Sequence, residues 1–229
     1  MDTGFILNRR PYRDNSYLVD IFCKDSGRIT CVARIAKKRG KIMKGTLEPF
    51  RQLRLNWIGR GEVQTLTLAE EKARFRLPTP VLCKALYLNE LLLKLVPKYA
   101  PAEETFESYV QCLHILAGET PSLMDCEIRL LDSLGYCLRS YQGKINVQHQ
   151  YSYSPEDGVL ENHQGSFGSA SALTSHSGVP ISANLLIKLV QSGTLDSLEQ
   201  LELRSFLDRL IDQLLQGKQL KSRKLAFGH

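Results

Sequence analysis

Apolar residues recur at every second position through the first 70 residues, with turn residues between the runs, which predicts short half-buried strands. Tyr17, Val19, Ile21 and Cys23 share one strand face; after Asp25-Ser26-Gly27, Ile29, Cys31, Ala33 and Ile35 share the next, giving a hairpin. Leu53, Leu55 and Trp57 point inward while Gln52, Arg54 and Asn56 point outward, and Leu66 and Leu68 continue the alternation past the Gly59-Arg60-Gly61 turn. With an opening strand near Phe5 to Leu7, these make about five short strands, the number that closes a small barrel of the OB type.

From residue 81 the period becomes helical. Leu82, Ala85, Leu86, Leu92, Leu93 and Val96 form one stripe and Leu88, Leu91 and Leu95 a second, so this helix is covered on more than one side. Phe106, Tyr109, Val110, Leu113 and Leu116 mark a second amphipathic helix. A third begins at Thr120 as cap, with Pro121 in its first turn, and stops at Gly135. Near the C-terminus Asp196 and Glu199 form a capping box ahead of Leu201, Leu207, Leu210, Ile211, Leu214 and Leu215, and Gly217 ends the run. Residues 139 to 178 break the plan, being rich in Ser, Gly, Gln and His. There Ile145, Val147, His149, Tyr151 and Tyr153 alternate before the turn at residues 154 to 158, predicting a strand and hairpin, with Gly165 to Ser171 as loop. The fold class is α+β and multidomain: an OB-type barrel over residues 1–80, then a helical domain over 81–229 with an irregular, hairpin-bearing insertion at 139–178, the boundary falling at Pro78-Thr79-Pro80.

Charge sharpens that division. Residues 1 to 80 hold 17 Lys and Arg against 8 Asp and Glu, a net of +9, whereas residues 81 to 229 hold 13 against 16, a net of −3, so the overall +6 joins a basic module to a mildly acidic one. Between Arg34 and Arg54 eight basic residues, Arg34, Lys37, Lys38, Arg39, Lys41, Lys44, Arg51 and Arg54, share the segment with one acid, Glu48, and Arg9, Arg10 and Arg13 lie upstream. A short run of lysines commonly serves solubility alone. This one spans a loop and continues on outward strand positions, the footprint of a phosphate-binding surface. Tyr12 and Phe50 flank the basic residues and either stack bases or fill the core.

Hydrophobic residues make up 43%, enough for packed cores. No apolar run reaches the roughly 20 residues that cross a bilayer, and the chain opens on Met1-Asp2-Thr3-Gly4 without a signal segment, so a soluble cytoplasmic protein is expected. Six scattered cysteines with no CxxC pair read as reduced core residues. Cys137, His149 and His163 match no zinc spacing, and no metal or other cofactor is expected. His149 reads as a packed residue.

Catalytic patterns are missing too. Gly40-Lys41 is followed by Ile42 and Gly45-Thr46 lacks the lysine of a phosphate loop. Gly165-Ser166-Phe167-Gly168 fits a GxxG clamp by letters alone. The pairs Glu70-Glu71 and Glu103-Glu104 are sequence neighbours, which do not share a helix face. A binding protein is expected, not an enzyme, with no catalytic residues. An RNA-binding or ribosome-associated barrel protein fits the same basic module.

Arg9-Arg10-Pro11-Tyr12 with Asp14 and Ser16, Asp25-Ser26-Gly27-Arg28, Val32-Ala33-Arg34, Lys44 through Phe50 and Gly59 through Val63 together resemble the bacterial recombination mediator family RecO. So do Tyr87 through Leu92, Leu134-Gly135-Tyr136, and Lys221-Ser222-Arg223 with Leu225. The resemblance covers nearly the whole chain, in order. It implies an N-terminal OB fold and a helical domain in a DNA repair and recombination protein that binds single- and double-stranded DNA and anneals complementary strands. It also implies an interaction with the acidic C-terminal tail of the single-stranded DNA-binding protein SSB, and action with RecR to help RecA load. Such a protein is nucleoid-associated when bound to DNA. Many members carry four zinc-ligating cysteines after the equivalent of Leu134-Gly135-Tyr136; only Cys137 stands there, so the chain resembles the zinc-free branch.

Annealing itself follows from charge, because a dense Lys and Arg surface screens the repulsion between two strands and leaves base edges open. The expected DNA contacts are Arg10, Arg13, Arg34, Lys37, Lys38, Arg39, Lys41, Lys44, Arg51 and Arg54. An SSB tail asks for an apolar pocket with a basic rim. Arg129, Arg139, Lys221, Arg223 and Lys224 are candidates for that rim, the alternative for a helix-end arginine being to cap carbonyls and complement the dipole.

Overall fold

The computed structural model describes residues 1–35, 42–162 and 178–227. Five strands, β1 (Asp2–Pro11), β2 (Ser16–Cys23), β3 (Gly27–Arg34), β4 (Arg51–Ile58) and β5 (Gln64–Arg74), close a barrel in the order β1-β2-β3-β5-β4. All neighbours are antiparallel except β3 and β5, which run parallel with Cys31 opposite Gln64 and Ala33 opposite Leu66. Ile6, Val19, Ile21, Cys23, Ile29, Cys31, Ala33, Leu53, Leu55 and Leu66 fill the interior, joined by Ile42 and Leu47, with Tyr17, Ile35 and Trp57 packed at the margin. The alternation foresees the inward residues of β2, β3 and β4 and Leu66; it does not reach Ile42 and Leu47, which lie outside the strands, and it slips once in β5. A register shift between Asn56 and Trp57 sets Trp57 opposite Leu66 but Asn56 opposite Leu68, so Ala69, not Leu68, packs against the core.

β1 is buried on both sides. Ile6 enters the barrel, while Phe5 packs against Phe75, Phe106 and Tyr109 outside it, the Phe5 and Tyr109 ring centres 5.3 Å apart. Phe106 and Tyr109 belong to α2 (Glu103–Ala117), and α1 (Thr79–Leu95) also contacts β1. A buried polar chain joins the three elements: Tyr109 Oη donates to Asn89 Oδ1 at 2.6 Å, and Asn89 Nδ2 donates to the Leu7 carbonyl at 3.2 Å. Such groups are tolerated inside only when paired. Gly27 begins β3 with φ +66°, and a Cβ there would lie 1.8 Å from the Ala100 carbonyl oxygen, so only glycine fits.

By contact the chain parts into two compact units, Met1–Cys126 with Gln219–His229, and Glu127–Lys218. In the first unit the C-terminal segment returns to α1. Glu90 accepts bonds from the backbone N–H groups of Lys221 (3.0 Å) and Ser222 (2.8 Å) and from the Ser222 hydroxyl, and the ring of Phe227, in α6 (Arg223–Phe227), meets Tyr87 edge-on. Partial burial acts to raise the Glu90 carboxyl's pKa, but these bonds and the nearby Lys94 charge outweigh it and hold the group below the usual glutamate value.

α3 (Leu123–Leu131) is capped by Ser122, whose Oγ accepts the Asp125 N–H at 3.2 Å, in place of the expected Thr120. It runs into a π turn, Asp132–Tyr136, in which Gly135 leaves helical geometry with φ 93°. In the second unit the sheet order is β7-β6-β8, from β6 (Gln150–Ser154), β7 (Gly158–Asn162) and β8 (Val179–Ile181). The β6–β7 hairpin falls where the alternation predicts it, but residues 145 to 149 lie ahead of the strand. The Gly165 to Ser171 loop and its GxxG letters lie outside the described residues. α4 (Ala183–Gln191) precedes α5 (Ser197–Leu215), which carries the predicted capping box: Asp196 Oδ1 accepts from Leu198 and Glu199, and Glu199 Oε2 accepts from Asp196 N–H. Fully buried Glu127 is bound by Arg204, which also holds Asp208. All six cysteines are thiols, and burial pushes that of Cys31 up to about 12.

Tyr109→Phe would strand the Asn89 carbonyl, and a loss of about 1–3 kcal/mol is expected in denaturant unfolding. Glu90→Gln should free the C-terminal segment, raising amide exchange at residues 220–227 and costing roughly 1 kcal/mol, a value discounted for partial exposure. Because the Glu90 pKa is depressed in the folded state, this docking is present in full above the ordinary glutamate value of about 4.3 and lost as pH falls through the folded one. Protection of those amides, relative to their intrinsic exchange rate at each pH, should fall on acidification in the native protein and stay flat in the variant.

Candidate nucleic-acid interface

The barrel's register decides where the basic residues meet. Pro11 pairs with Tyr17, Ser16 with Arg34, and Arg51 with Arg74, so the ends of β1, β3 and β5 and the starts of β2 and β4 share one end of the barrel. Arg9, Arg10, Arg13, Arg34 and Lys44 gather there, Lys44 opening a 3₁₀ turn over Lys44–Leu47. Arg9 Nη1 donates to the Lys44 carbonyl at 2.8 Å across that mouth. The Tyr17 ring has two cations beside it, its centroid 5.7 Å from the Arg9 guanidinium carbon and 5.8 Å from Lys44 Nζ, and Arg13 covers Tyr12 at 5.3 Å. These are cation–π distances. Arg13 and Asn15 have positive φ, 51° and 54°, which folds the β1–β2 turn tightly.

Of the ten expected DNA contacts, Arg10, Arg13, Arg34 and Lys44 reach this end and are exposed. Lys37, Lys38, Arg39 and Lys41 lie outside the described residues; flanking Ile35 and Ile42 both pack against the barrel core. Arg51 and Arg54 have other engagements. The Arg51 side chain is only 14% exposed and is bound by Glu48 at 2.8 Å and by Glu71, and Arg54 is bound by Glu70. Arg51's hydrogen bond holds Glu48 below the usual carboxylate range, while for Arg51 the two carboxylates outweigh a burial that disfavours its charge. Both arginines carry charges already matched, the consequence of β4 and β5 pairing face to face. Tyr12 is exposed and able to stack, but Phe50, 6% exposed with φ 62°, belongs to the interior. Tyr17, read from the pattern as core alone, is the aromatic the cations surround, and its position beside the β1–β2 turn was the available signal.

Of the rim candidates, Arg129 and Arg139 flank Asp132 in the unit Glu127–Lys218, Arg139 Nε lying 3.9 Å from it; burial raises the Asp132 carboxyl, moderated by the Leu138 N–H and the two arginines. Lys221, Arg223 and Lys224 belong to the other unit. His149 is not packed away: it bonds Glu161 and lines a cavity of about 530 Å³ with Tyr151, Ile181 and Phe206. No helix among the described residues is long and apolar enough to cross a membrane.

A closed five-stranded barrel with a cationic, aromatic-bearing mouth defines an OB-fold protein. The family model for the recombination protein O N-terminal domain matches residues 1–75, and that for its C-terminal domain matches residues 82–224; the chain belongs to the RecO family. It is 32% identical over 232 residues to the DNA repair protein RecO of Halorhodospira halophila, spanning 97% of this chain and 94% of that one. The RecO of Cupriavidus metallidurans is 32% identical over 98% of this chain and 76% of its own, and that of Actinobacillus succinogenes 41% over 58% of each.

Exchanging Arg13, Arg34 and Lys44 together for alanine should flatten the salt dependence of oligonucleotide binding by about 2 in log–log slope, as three phosphate contacts are lost, with little change in melting temperature. Arg51→Ala should do the reverse, costing about 1 kcal/mol of stability with the slope unchanged. Anisotropy titrations and thermal melts separate the two.

Proposed function

We propose that this protein acts in DNA repair and recombination as a mediator that captures single- and double-stranded DNA at the cationic end of its barrel and anneals complementary strands. The observation that carries this reading is the gathering at one barrel end of Arg10, Arg13, Arg34 and Lys44, none in an ion pair among the described residues, with Arg13 over Tyr12 and Lys44 over Tyr17, in a chain of the RecO family. Lys37, Lys38, Arg39 and Lys41 join them on sequence grounds. Cations attract the phosphates of either strand, a contact that carries no sequence information, and sequence preference should accordingly be weak. The process needs no bond broken.

The same reading supplies its partners: the acidic tail of SSB, RecR, and through them RecA loading, in the cytoplasm. For the tail, the Arg129 and Arg139 pair around Asp132 is favoured within its own unit, since two adjacent guanidiniums suit a carboxylate-rich peptide. Lys221, Arg223 and Lys224 are the second choice.

Annealing of SSB-coated complementary oligonucleotides, with and without the protein at two ionic strengths, tests the proposal. Rate enhancement is expected, and with about five phosphate contacts to single strands the affinity should fall roughly a hundredfold between 50 and 200 mM salt. Stronger binding to RNA of the same sequence, with no annealing, would replace this reading by an RNA-binding one.

A further inference from the structure

In the unit Glu127–Lys218, the solvent face of α5 is apolar where the helix begins. Leu198 and Leu201 are 77% and 68% exposed, and among the described residues only Met1 is a more exposed large apolar side chain. Set three apart, the two leucines share one face of the helix, and Ser205 and Arg209, both exposed, continue that face toward its C-terminus. A single exposed leucine calls for no explanation. This pair, however, stands one turn ahead of the open cleft of about 530 Å³ that Ser205, Phe206 and Arg209 share with Val147 and Ile181. Buried Phe206 and Ile181 give the cleft an apolar floor, and Val147, 59% exposed, extends the apolar surface.

Knob and socket thus sit on the same helix, which is what a surface needs in order to fit a second copy of itself about a two-fold axis. In an antiparallel pairing of two α5 helices with the axis at Leu201, Leu201 meets its counterpart and Leu198 stands opposite Ser205, whose small side chain leaves the neighbouring cleft open to the leucine. Charge agrees with this register. Arg209 is exposed and in no ion pair among the described residues, and the same pairing carries it to the start of the other helix, where the exposed carboxylate of Asp196 caps the first turn.

We propose that the protein self-associates through this face, as a two-fold symmetric dimer in which Leu198 of each copy enters the cleft of the other beside Ser205 and the two Leu201 side chains pack together on the axis. Four leucines that face water in the single chain are buried in the pair, so apolar burial drives association, and the contact of Arg209 with Asp196 across the axis sets its register. The adjacent edge strand β8 offers no competing route. Its central residue is Pro180, exposed and without an N–H to give to an added strand. The inference does not depend on the DNA-binding reading, but it has a consequence for it: a dimer carries two barrels and can hold two complementary strands on one particle.

Sedimentation velocity of the full chain, without nucleic acid, over about 1 to 100 μM tests this. The wild type should sediment as a dimer at the upper end and move toward the mass of one chain on dilution. Leu198→Glu combined with Leu201→Glu puts charge into the contact and should weaken association about a hundredfold or more, with an unchanged far-UV circular dichroism spectrum because both positions are exposed in the single chain. Ser205→Trp, which fills the seat of Leu198, should weaken it in the same way. As a control, Ile58→Glu with Val63→Glu alters another exposed apolar pair, on the β4–β5 turn, and should leave the dimer intact. A wild type that stays a single chain at every concentration overturns the proposal and leaves the α5 face to a different protein. A dimer that persists in the α5 variants overturns it as well, and its loss in the control instead moves the contact to the β4–β5 turn. None of these results bears on the DNA-binding reading, which stands or falls on its own titrations.

Discussion

Closure of the barrel through the parallel pairing of β3 with β5 is the constraint on which the site depends. Cys31 opposite Gln64 fixes the stagger of the last strand, and the antiparallel partners then bring the ends of β1, β3 and β5 to one rim. The β1–β2 and β2–β3 hairpins carry Arg10, Arg13 and Arg34 to that rim, and Arg9 meets the Lys44 carbonyl across it.

The two faces of β1 show how packing divides structural from binding residues. Its inward side builds the barrel core, while its outward side carries Phe5 against α2 near the start and Arg10 near the end, in a groove that α1 and the C-terminal segment also line. The strand is thus apolar where helices cover it and basic where they do not. The same logic separates the arginines of β4 from those of the mouth. Opposite a strand bearing Glu70 and Glu71, Arg51 and Arg54 hold the sheet together, whereas Arg13, in the β1–β2 turn, and Arg34, at the end of β3, form no ion pair among the described residues.

The C-terminal segment is a structural part of the barrel-bearing unit. Glu90 ties residues 221 and 222 to α1, and that docking supplies both Lys221 and Leu225 to the groove. A carboxylate held ionised by three donors thus orders a wall of positive surface, an arrangement in which its own negative charge is consumed by the protein and not presented to a ligand.

Local periodicity determined the barrel strands, the hairpins, the capping box at Asp196 and the inward faces, because a period of two and a cap are written in adjacent residues. Charge clustering likewise located the basic module. The slip at Leu68, the burial of Phe50 and the ion pairs of Arg51 and Arg54 were decided by tertiary structure, since each depends on which residue stands across the sheet and not beside it in the chain. The groove was hidden for the same reason: Arg10, Arg28, Lys94 and Lys221 are too distant in sequence to form a motif, and only folding brings them to one surface.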